Sequence, residues 1–113
     1  MASSKKANHF GSAAALAAAC LFFGLSMAAA ANDTNAGKKV FTETAAPACA
    51  ICHTLADAGS QGQIGPNLDE LQPSAERVYK AVTDGIGAMP PYADTLSEAE
   101  REAVAAYVAS VTG

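Results

Sequence analysis

The chain has 113 residues, of which 50% are hydrophobic and 16% are charged, and its formal net charge is −4. A chain of this length holds one domain at most, which excludes a repeat array or a multidomain enzyme. The share of apolar residues also excludes an intrinsically disordered chain.

The first 31 residues have the three parts of a secretory signal peptide. Two lysines form a basic start, residues 13–25 are almost all apolar, and residues 28–31 are small side chains that suit cleavage after Ala31. The apolar run is shorter than the roughly 20 residues of a membrane span. We therefore predict a periplasmic protein without a membrane span, residues 32–113. A lipoprotein signal at Cys20 is disfavoured, because apolar residues continue past the cysteine.

The mature part of the chain is acidic and has a small core. Residues 32–113 carry five Lys and Arg against eleven Asp and Glu, a net charge of −6, whereas a nucleic-acid partner needs a basic face. Apart from Ala and Cys they contain only eighteen large apolar residues. Domains this small usually recruit a disulfide, a metal or another staple, so we expect something other than side chains to fill the middle.

The first half of the mature chain predicts short helices and a loop. Residues 36–44 form an amphipathic helix with Val40 and Phe41 facing inward. Residues 48–55 are rich in small side chains and are predicted to form a turn or two of helix. Residues 59–67 contain three glycines and a proline, which is typical of a loop.

The second half predicts two capped helices separated by a long loop. The first has Ser74 as its N-cap and runs to Asp84, with Gly85 in a left-handed position at its end. The glycines and prolines of residues 85–95 exclude a helix or a central strand. The last helix opens with a capping box at Ser97 and Glu100, and one apolar stripe follows it: Ala103, Val104, Tyr107, Val108 and Val111. The domain is predicted to be all-α.

The pentapeptide Cys49-Ala50-Ile51-Cys52-His53 carries the chemistry. In a helix, positions i, i+3 and i+4 share one face with β-carbons roughly 5–6 Å apart, so both thiols and the imidazole point to the same side. That geometry suits addition of the two sulfurs to the vinyl groups on one edge of a haem while the imidazole reaches the iron. The spacing is that of the c-type haem attachment motif, and export of the chain agrees with it.

Three other interpretations of this motif are weaker. A structural zinc site needs four ligands, but the mature chain has two cysteines and one histidine. A thioredoxin-like redox pair needs a βαβ framework, which the sequence does not predict. A disulfide between Cys49 and Cys52 would close a very small loop and leave His53 without a role.

His53 is the only histidine after residue 31. A liganding imidazole needs an acceptor that fixes its other ring nitrogen. The carbonyl of Pro66 is the candidate, because proline has a rigid φ and lacks the N–H that would join a ladder. Composition alone would equally allow Gly65 and Pro66 to form a simple turn.

Met89 is the only methionine after residue 31, and it is the candidate for the second axial ligand. A single methionine can instead fill a gap in the core. The setting favours a ligand, because Met89 lies in an irregular loop after two glycines and before Pro90 and Pro91. A thioether favours ferrous iron, so a His and Met pair raises the reduction potential and fills the sixth position.

Such a site predicts transfer of single electrons rather than catalysis. With both axial positions filled, the iron has no place for oxygen or peroxide, and the acidic surface would orient the protein towards a basic patch on a redox partner. One alternative is a haem protein in which the Met89 bond is labile, acting on peroxide or a gas. Another is a disulfide-bonded interaction module without haem.

Three motifs carry a family resemblance: Cys49-Ala50-Ile51-Cys52-His53, Gly65-Pro66-Asn67-Leu68 and Met89-Pro90-Pro91-Tyr92. With the terminal helix they resemble class I cytochromes c over essentially all of residues 32–113. The resemblance implies a small helical bundle packed around one covalently bound haem c, with its first and last helices in contact. Residues that match this contact are Gly37, Phe41 and Tyr107.

The resemblance also implies roles for five residues. Cys49 and Cys52 carry the two thioether bonds. His53 and Met89 are the axial ligands, and the Pro66 carbonyl accepts a hydrogen bond from the His53 ring.

A narrower resemblance concerns the partner. The segments PACAICHTLADAG, GPNLDEL and DGIGAMPPYADTLS are similar to the small cytochromes that accept electrons from periplasmic sulfite dehydrogenases, which are molybdenum enzymes. The resemblance implies such an enzyme as the electron donor and an oxidase or another cytochrome as the acceptor.

Overall fold

The computed structural model describes residues 34–113, and helices dominate this part of the chain. The predicted signal peptide, residues 1–31, lies outside the described residues. Helix α1 spans residues 34–39 and continues into a π-helical turn, Val40–Thr44. The later elements are α2 (Cys49–Cys52), β1 (Thr54–Leu55), a 3-10 turn (Ala56–Ala58), β2 (Ser60–Gln61), α3 (Leu68–Leu71), α4 (Ala75–Asp84) and α5 (Glu98–Thr112).

The two capped helices are confirmed. The Ser74 hydroxyl accepts from the Arg77 N–H at 3.1 Å, and the Ser97 hydroxyl accepts from the Glu100 N–H at the same distance. At the end of α4, Gly85 has the expected positive φ of 73°, but its ψ of 160° is extended rather than left-handed helical. The chain therefore leaves α4 in an extended direction, towards the loop that contains Met89.

Two features between residues 53 and 72 differ from the prediction. Strands β1 and β2 pair antiparallel, because Gly59 adopts a left-handed conformation (φ 65°) that reverses the chain between them. A short helix, α3, follows the loop, because the Asn67 side chain accepts from the Asp69 N–H at 3.0 Å and caps its first turn. The two-residue strands leave the all-α class intact.

Helices α1 and α5 form the predicted contact. A β-carbon at Gly37 would overlap the Ala103 carbonyl oxygen and the Tyr107 β-carbon, so only glycine allows this approach. The rings of Phe41 and Tyr107 meet edge to face, with centroids 6.2 Å apart. The first and last helices thus pack tightly against each other, beside the 3-10 turn that follows His53 and β1.

The Tyr107 hydroxyl links this contact to the 3-10 turn by donating to Asp57 Oδ2 at 2.6 Å. This hydrogen bond lowers the pKa of Asp57, and Lys38, 3.5 Å away, acts in the same direction. Burial, and then the bond to Asp57, raise the pKa of Tyr107. Both shifts favour a neutral phenol beside an ionised carboxylate at neutral pH.

Helix α4 packs along α5 and completes the bundle. Arg101 of α5 donates to the Thr83 hydroxyl at 3.0 Å and lies over the ring of Tyr79. Within residues 34–113 the helices are all too short or too polar to span a bilayer. The elements leave an apolar cleft between α4, α5 and the loops that follow α2 and α4.

Candidate haem site

The five residues predicted for the site line one cleft of about 340 Å³. This volume is in the range of pockets that hold cofactors. Apolar residues of the π-helical turn, α3, α4 and α5 form much of its wall: Phe41, Leu68, Val82, Val104 and Val108. The structure therefore brings Cys49, Cys52, His53, Pro66 and Met89 together around a largely apolar space.

The Cys49–Cys52 helix is shorter than the sequence suggested, and His53 lies beyond its end. The His53 N–H donates to the Cys49 carbonyl at 3.0 Å, but its backbone is extended, with φ −114° and ψ 138°. The expectation that His53 continues the helix is therefore wrong. The imidazole still reaches the cleft, because the chain turns from α2 directly into β1.

The His53 ring is held by the loop beyond β2. Its Nδ1 lies 2.7 Å from the Pro66 carbonyl oxygen, which leaves Nε2 for a metal when Nδ1 carries the proton. Gly65 packs against the ring, and a β-carbon there would come within 2.6 Å of Cε1. Glycine at 65 and a carbonyl at 66 thus fix both the position and the tautomer of the imidazole.

Hydrogen bonds to the backbone and a close approach to α2 hold this loop in place. The Gly65 N–H donates to the Cys52 carbonyl at 2.7 Å, and the Thr54 hydroxyl donates to the Gly62 carbonyl at 2.9 Å. Gly62 lies so close to α2 that a β-carbon would be 2.5 Å from the Ile51 carbonyl oxygen. Gly62 and Gly65 allow the predicted loop to pack tightly under the motif.

Cys49 and Cys52 are both free thiols rather than a disulfide. Burial raises the pKa of the Cys49 thiol to about 11, against a backbone hydrogen bond that lowers it, so this thiol is protonated at neutral pH. The described residues contain no group of three or more His, Cys, Asp and Glu side chains arranged to hold a metal ion. The two sulfurs are available for covalent attachment of a cofactor.

Met89 enters the cleft from the loop after α4. Its N–H donates to the Ile86 carbonyl at 2.9 Å, and its carbonyl accepts from the Ile86 N–H at 3.1 Å. The tight turn between these residues uses Gly87, whose φ is 55°. The loop folds against the end of α4, where a β-carbon on Gly85 would lie 2.8 Å from the Met89 carbonyl oxygen. Close packing thus explains Gly85, and the positive φ explains Gly87.

Among the residues that the structure adds to the cleft, two have polar side chains that bear on its chemistry, Tyr92 and Arg77. Tyr92 is 4% exposed and donates its hydroxyl to the Pro47 carbonyl at 2.6 Å. Arg77 carries the only guanidinium or ammonium group among the described cleft residues, none of which carries a carboxylate. Arg77 could have been found from helical spacing, because it lies four residues before the inward-facing Ala81.

The site fits a covalently bound haem c. Two free thiols, an imidazole with one nitrogen held by a carbonyl, and a thioether line one apolar space, and these are the donors that such a haem uses. The family model of cytochrome c oxidase, cbb3-type, subunit III matches residues 32–108. The chain belongs to this family of c-type cytochromes. Its cofactor is therefore haem c.

A solved structure supports the same conclusion for the fold of this cytochrome. The c-type cytochrome SorU from Sinorhizobium meliloti is 53% identical to the chain, with a TM-score of 0.71. The match covers 74% of this chain and 94% of SorU. No curated protein sequence matches the chain. The predicted class I cytochrome c fold is confirmed by this likeness.

Proposed function

We propose that this cytochrome is a periplasmic carrier of single electrons. The observation that carries the proposal is that the one histidine and the one methionine after residue 31 both line the cleft that contains the two free thiols. When bound there, haem c supplies an iron that alternates between the ferric and ferrous states. An imidazole and a thioether as axial ligands favour electron transfer over binding of a substrate.

In this proposal the chain holds its haem through residues with distinct roles. Cys49 and Cys52 form the two thioether bonds. His53 and Met89 are the axial ligands, and the Pro66 carbonyl, 2.7 Å from Nδ1, accepts the Nδ1 proton in a hydrogen bond and orients the imidazole so that Nε2 faces the iron. The apolar walls exclude water from the ligands.

Arg77 has a binding role in the same proposal. Haem carries two propionate groups, and a guanidinium is the side chain that best matches a carboxylate. The Arg77 side chain has no ion-pair partner within residues 34–113, where ion pairs form only at Lys38–Asp57 and Lys80–Asp84. We therefore assign Arg77 to a propionate at the cleft.

The proposed periplasmic location rests on residues 1–31, which have the features of a secretory signal peptide. The proposal includes removal of residues 1–31 as a signal peptide and attachment of haem after export, with residues 32–113 as the cytochrome domain. N-terminal sequencing of the exported protein tests it, and a mature chain that begins at Asn32 is expected.

Met89→Ala tests the proposed coordination. The oxidised wild type should show the near-infrared charge-transfer band of a methionine bound to ferric iron. The variant should lose that band, open the sixth position and have a lower reduction potential, because the thioether stabilises ferrous iron. A wild type without the band at neutral pH would favour the alternative function, peroxide or gas chemistry at an open iron. An unchanged reduction potential in the variant would mean that a residue other than Met89 is the axial ligand.

For the donor we propose a periplasmic sulfite dehydrogenase, on the resemblance of three segments to the cytochromes that serve such enzymes. An oxidase or another cytochrome would take the electrons onward. The test mixes the oxidised cytochrome with a purified sulfite dehydrogenase and follows the haem spectrum. Reduction is expected only after sulfite is added, and equal reduction by an unrelated periplasmic dehydrogenase with its own substrate would contradict the choice of donor.

A further inference from the structure

The loop that contains Met89 is anchored on both sides of the methionine. On the N-terminal side, Met89 and Ile86 exchange two backbone hydrogen bonds across a tight turn. On the C-terminal side, two prolines separate Met89 from Tyr92. Because the φ of each proline is fixed near −65°, the position of Tyr92 strongly restricts the position of Met89.

Tyr92 is bonded to three different parts of the fold. Its N–H donates to the Val82 carbonyl of α4 at 2.8 Å, and its carbonyl accepts from the Leu96 N–H at 2.9 Å, just before α5. Its hydroxyl donates to the Pro47 carbonyl at 2.6 Å. The first two bonds use the backbone and persist with any side chain. Only the third depends on tyrosine.

The third bond joins two walls of the cleft. Pro47 lies two residues before Cys49, and both line the cleft, as do Met89 and Tyr92. The hydroxyl therefore ties the methionine loop to the segment that begins the haem attachment motif. Rotation of this loop away from the cleft would break the bond between the Tyr92 hydroxyl and the Pro47 carbonyl and lose its net contribution to stability.

We propose that Tyr92 is the positioning residue for Met89, and that its hydroxyl bond to the Pro47 carbonyl resists displacement of the methionine by an external ligand. This inference rests on the proposed function, in which Met89 binds the haem iron. Tyr92 acts through the rigid Pro90-Pro91 segment rather than by touching the iron.

Tyr107 provides a matched control. Its hydroxyl also donates at 2.6 Å, in this case to Asp57, and its side chain is fully buried. Tyr107 does not line the cleft and has no bond to the methionine loop. Tyr107→Phe therefore removes a comparable hydrogen bond and lowers global stability without altering the anchor of Met89.

The experiment titrates imidazole into the oxidised holoprotein at pH 7 and follows loss of the near-infrared methionine band. Imidazole should bind about fivefold more tightly to Tyr92→Phe than to the wild type, the ratio expected when a typical net hydrogen bond is lost. Tyr107→Phe should stay within about twofold of the wild type, although urea unfolds it at a lower concentration. Burial raises the pKa of Tyr92 to about 12, so its hydroxyl stays protonated throughout.

A second variant tests how the effect reaches the methionine. Pro91→Ala frees one φ between Tyr92 and Met89 and keeps both side chains. It should raise the imidazole affinity about twofold to threefold. This variant leaves the Tyr92 bond in place, so it gives an answer even where Tyr92→Phe loads little haem.

Equal imidazole affinity in the wild type and in Tyr92→Phe would overturn the proposal, as would an equal rise in Tyr92→Phe and Tyr107→Phe. So would an unchanged affinity in Pro91→Ala. Failure of the proposed function has a different signature, because the wild type would then lack the methionine band before any imidazole is added.

Discussion

At the scale of single residues, the site depends on neighbouring residues that hold the haem-binding side chains in position. The His53 ring is oriented because the Pro66 carbonyl lies 2.7 Å from Nδ1 and because Gly65 leaves space for the ring. Before haem is attached, burial raises the pKa of the Cys49 thiol and keeps it protonated at neutral pH. Arg77 differs from these residues, because it brings a permanent positive charge to a cleft whose other described residues carry no opposite charge.

Replacement of Arg77 should change the reduction potential of the haem. Without the guanidinium, a propionate charge is less compensated and stabilises ferric iron, so Arg77→Gln should lower the potential by about 40 mV, or roughly 1 kcal/mol for one electron. The potential should also vary more with pH, because the propionate would titrate at a higher pKa. Voltammetry between pH 5 and 8 measures both effects.

Lys80→Gln is the control for this prediction. It removes the same charge from the same helix, but Lys80 pairs with Asp84 at 3.7 Å and does not line the cleft. A shift in Lys80→Gln as large as in Arg77→Gln would show that only the net charge matters, and would contradict a specific role for Arg77.

At the scale of elements, the contact of α1 with α5 depends on Gly37. A β-carbon there would meet the backbone of Ala103, which cannot move without bending α5, and the fully buried Tyr107. We expect Gly37→Ala to lower the free energy of unfolding by about 3 kcal/mol, the upper end of the cost of overpacking. Urea denaturation of the holoprotein measures it.

Lys39→Ala on the same helix is the comparison for Gly37→Ala. Lys39 is exposed, so its truncation should change the free energy of unfolding by less than about 0.5 kcal/mol. A loss below about 1 kcal/mol in Gly37→Ala would mean that α1 can shift along α5, and that the close approach is not required.

The sequence predicts the helices that are determined by residues close to one another along the chain. Ser74 and Ser97 cap helices through neighbours three residues away, and the apolar stripe of α5 repeats within one helix. The β1–β2 ribbon has no such pattern, since each strand is two residues long and depends on Gly59.

The residues of the site divide in the same way, into those that a local motif predicts and those that only the folded chain brings together. Sequence motifs identify Cys49, Cys52 and His53 as a group, because their spacing is itself the signal. The bond of Tyr92 to Pro47 joins residues 45 positions apart, so no periodicity could predict it. The structure is needed for such contacts.

At the scale of the whole molecule, the core and the cleft share the same side chains. Phe41, Val82, Val104 and Val108 are among the most buried residues and also line the cleft. The small number of large apolar residues in this chain is thus explained by a fold that packs around haem c rather than around itself.

The charge of the whole molecule predicts how it meets its donor. Residues 32–113 have a net charge of −6, and only two ion pairs form within residues 34–113, so most carboxylates face solvent. A basic patch on the donor would then speed the encounter at low salt. We expect the rate of reduction by the proposed donor, a sulfite dehydrogenase, to fall at least about tenfold between roughly 10 mM and 200 mM salt, because added ions screen this attraction. Reduction by a small uncharged reductant should not change over the same range, and a salt-independent enzymatic rate would rule out electrostatic steering.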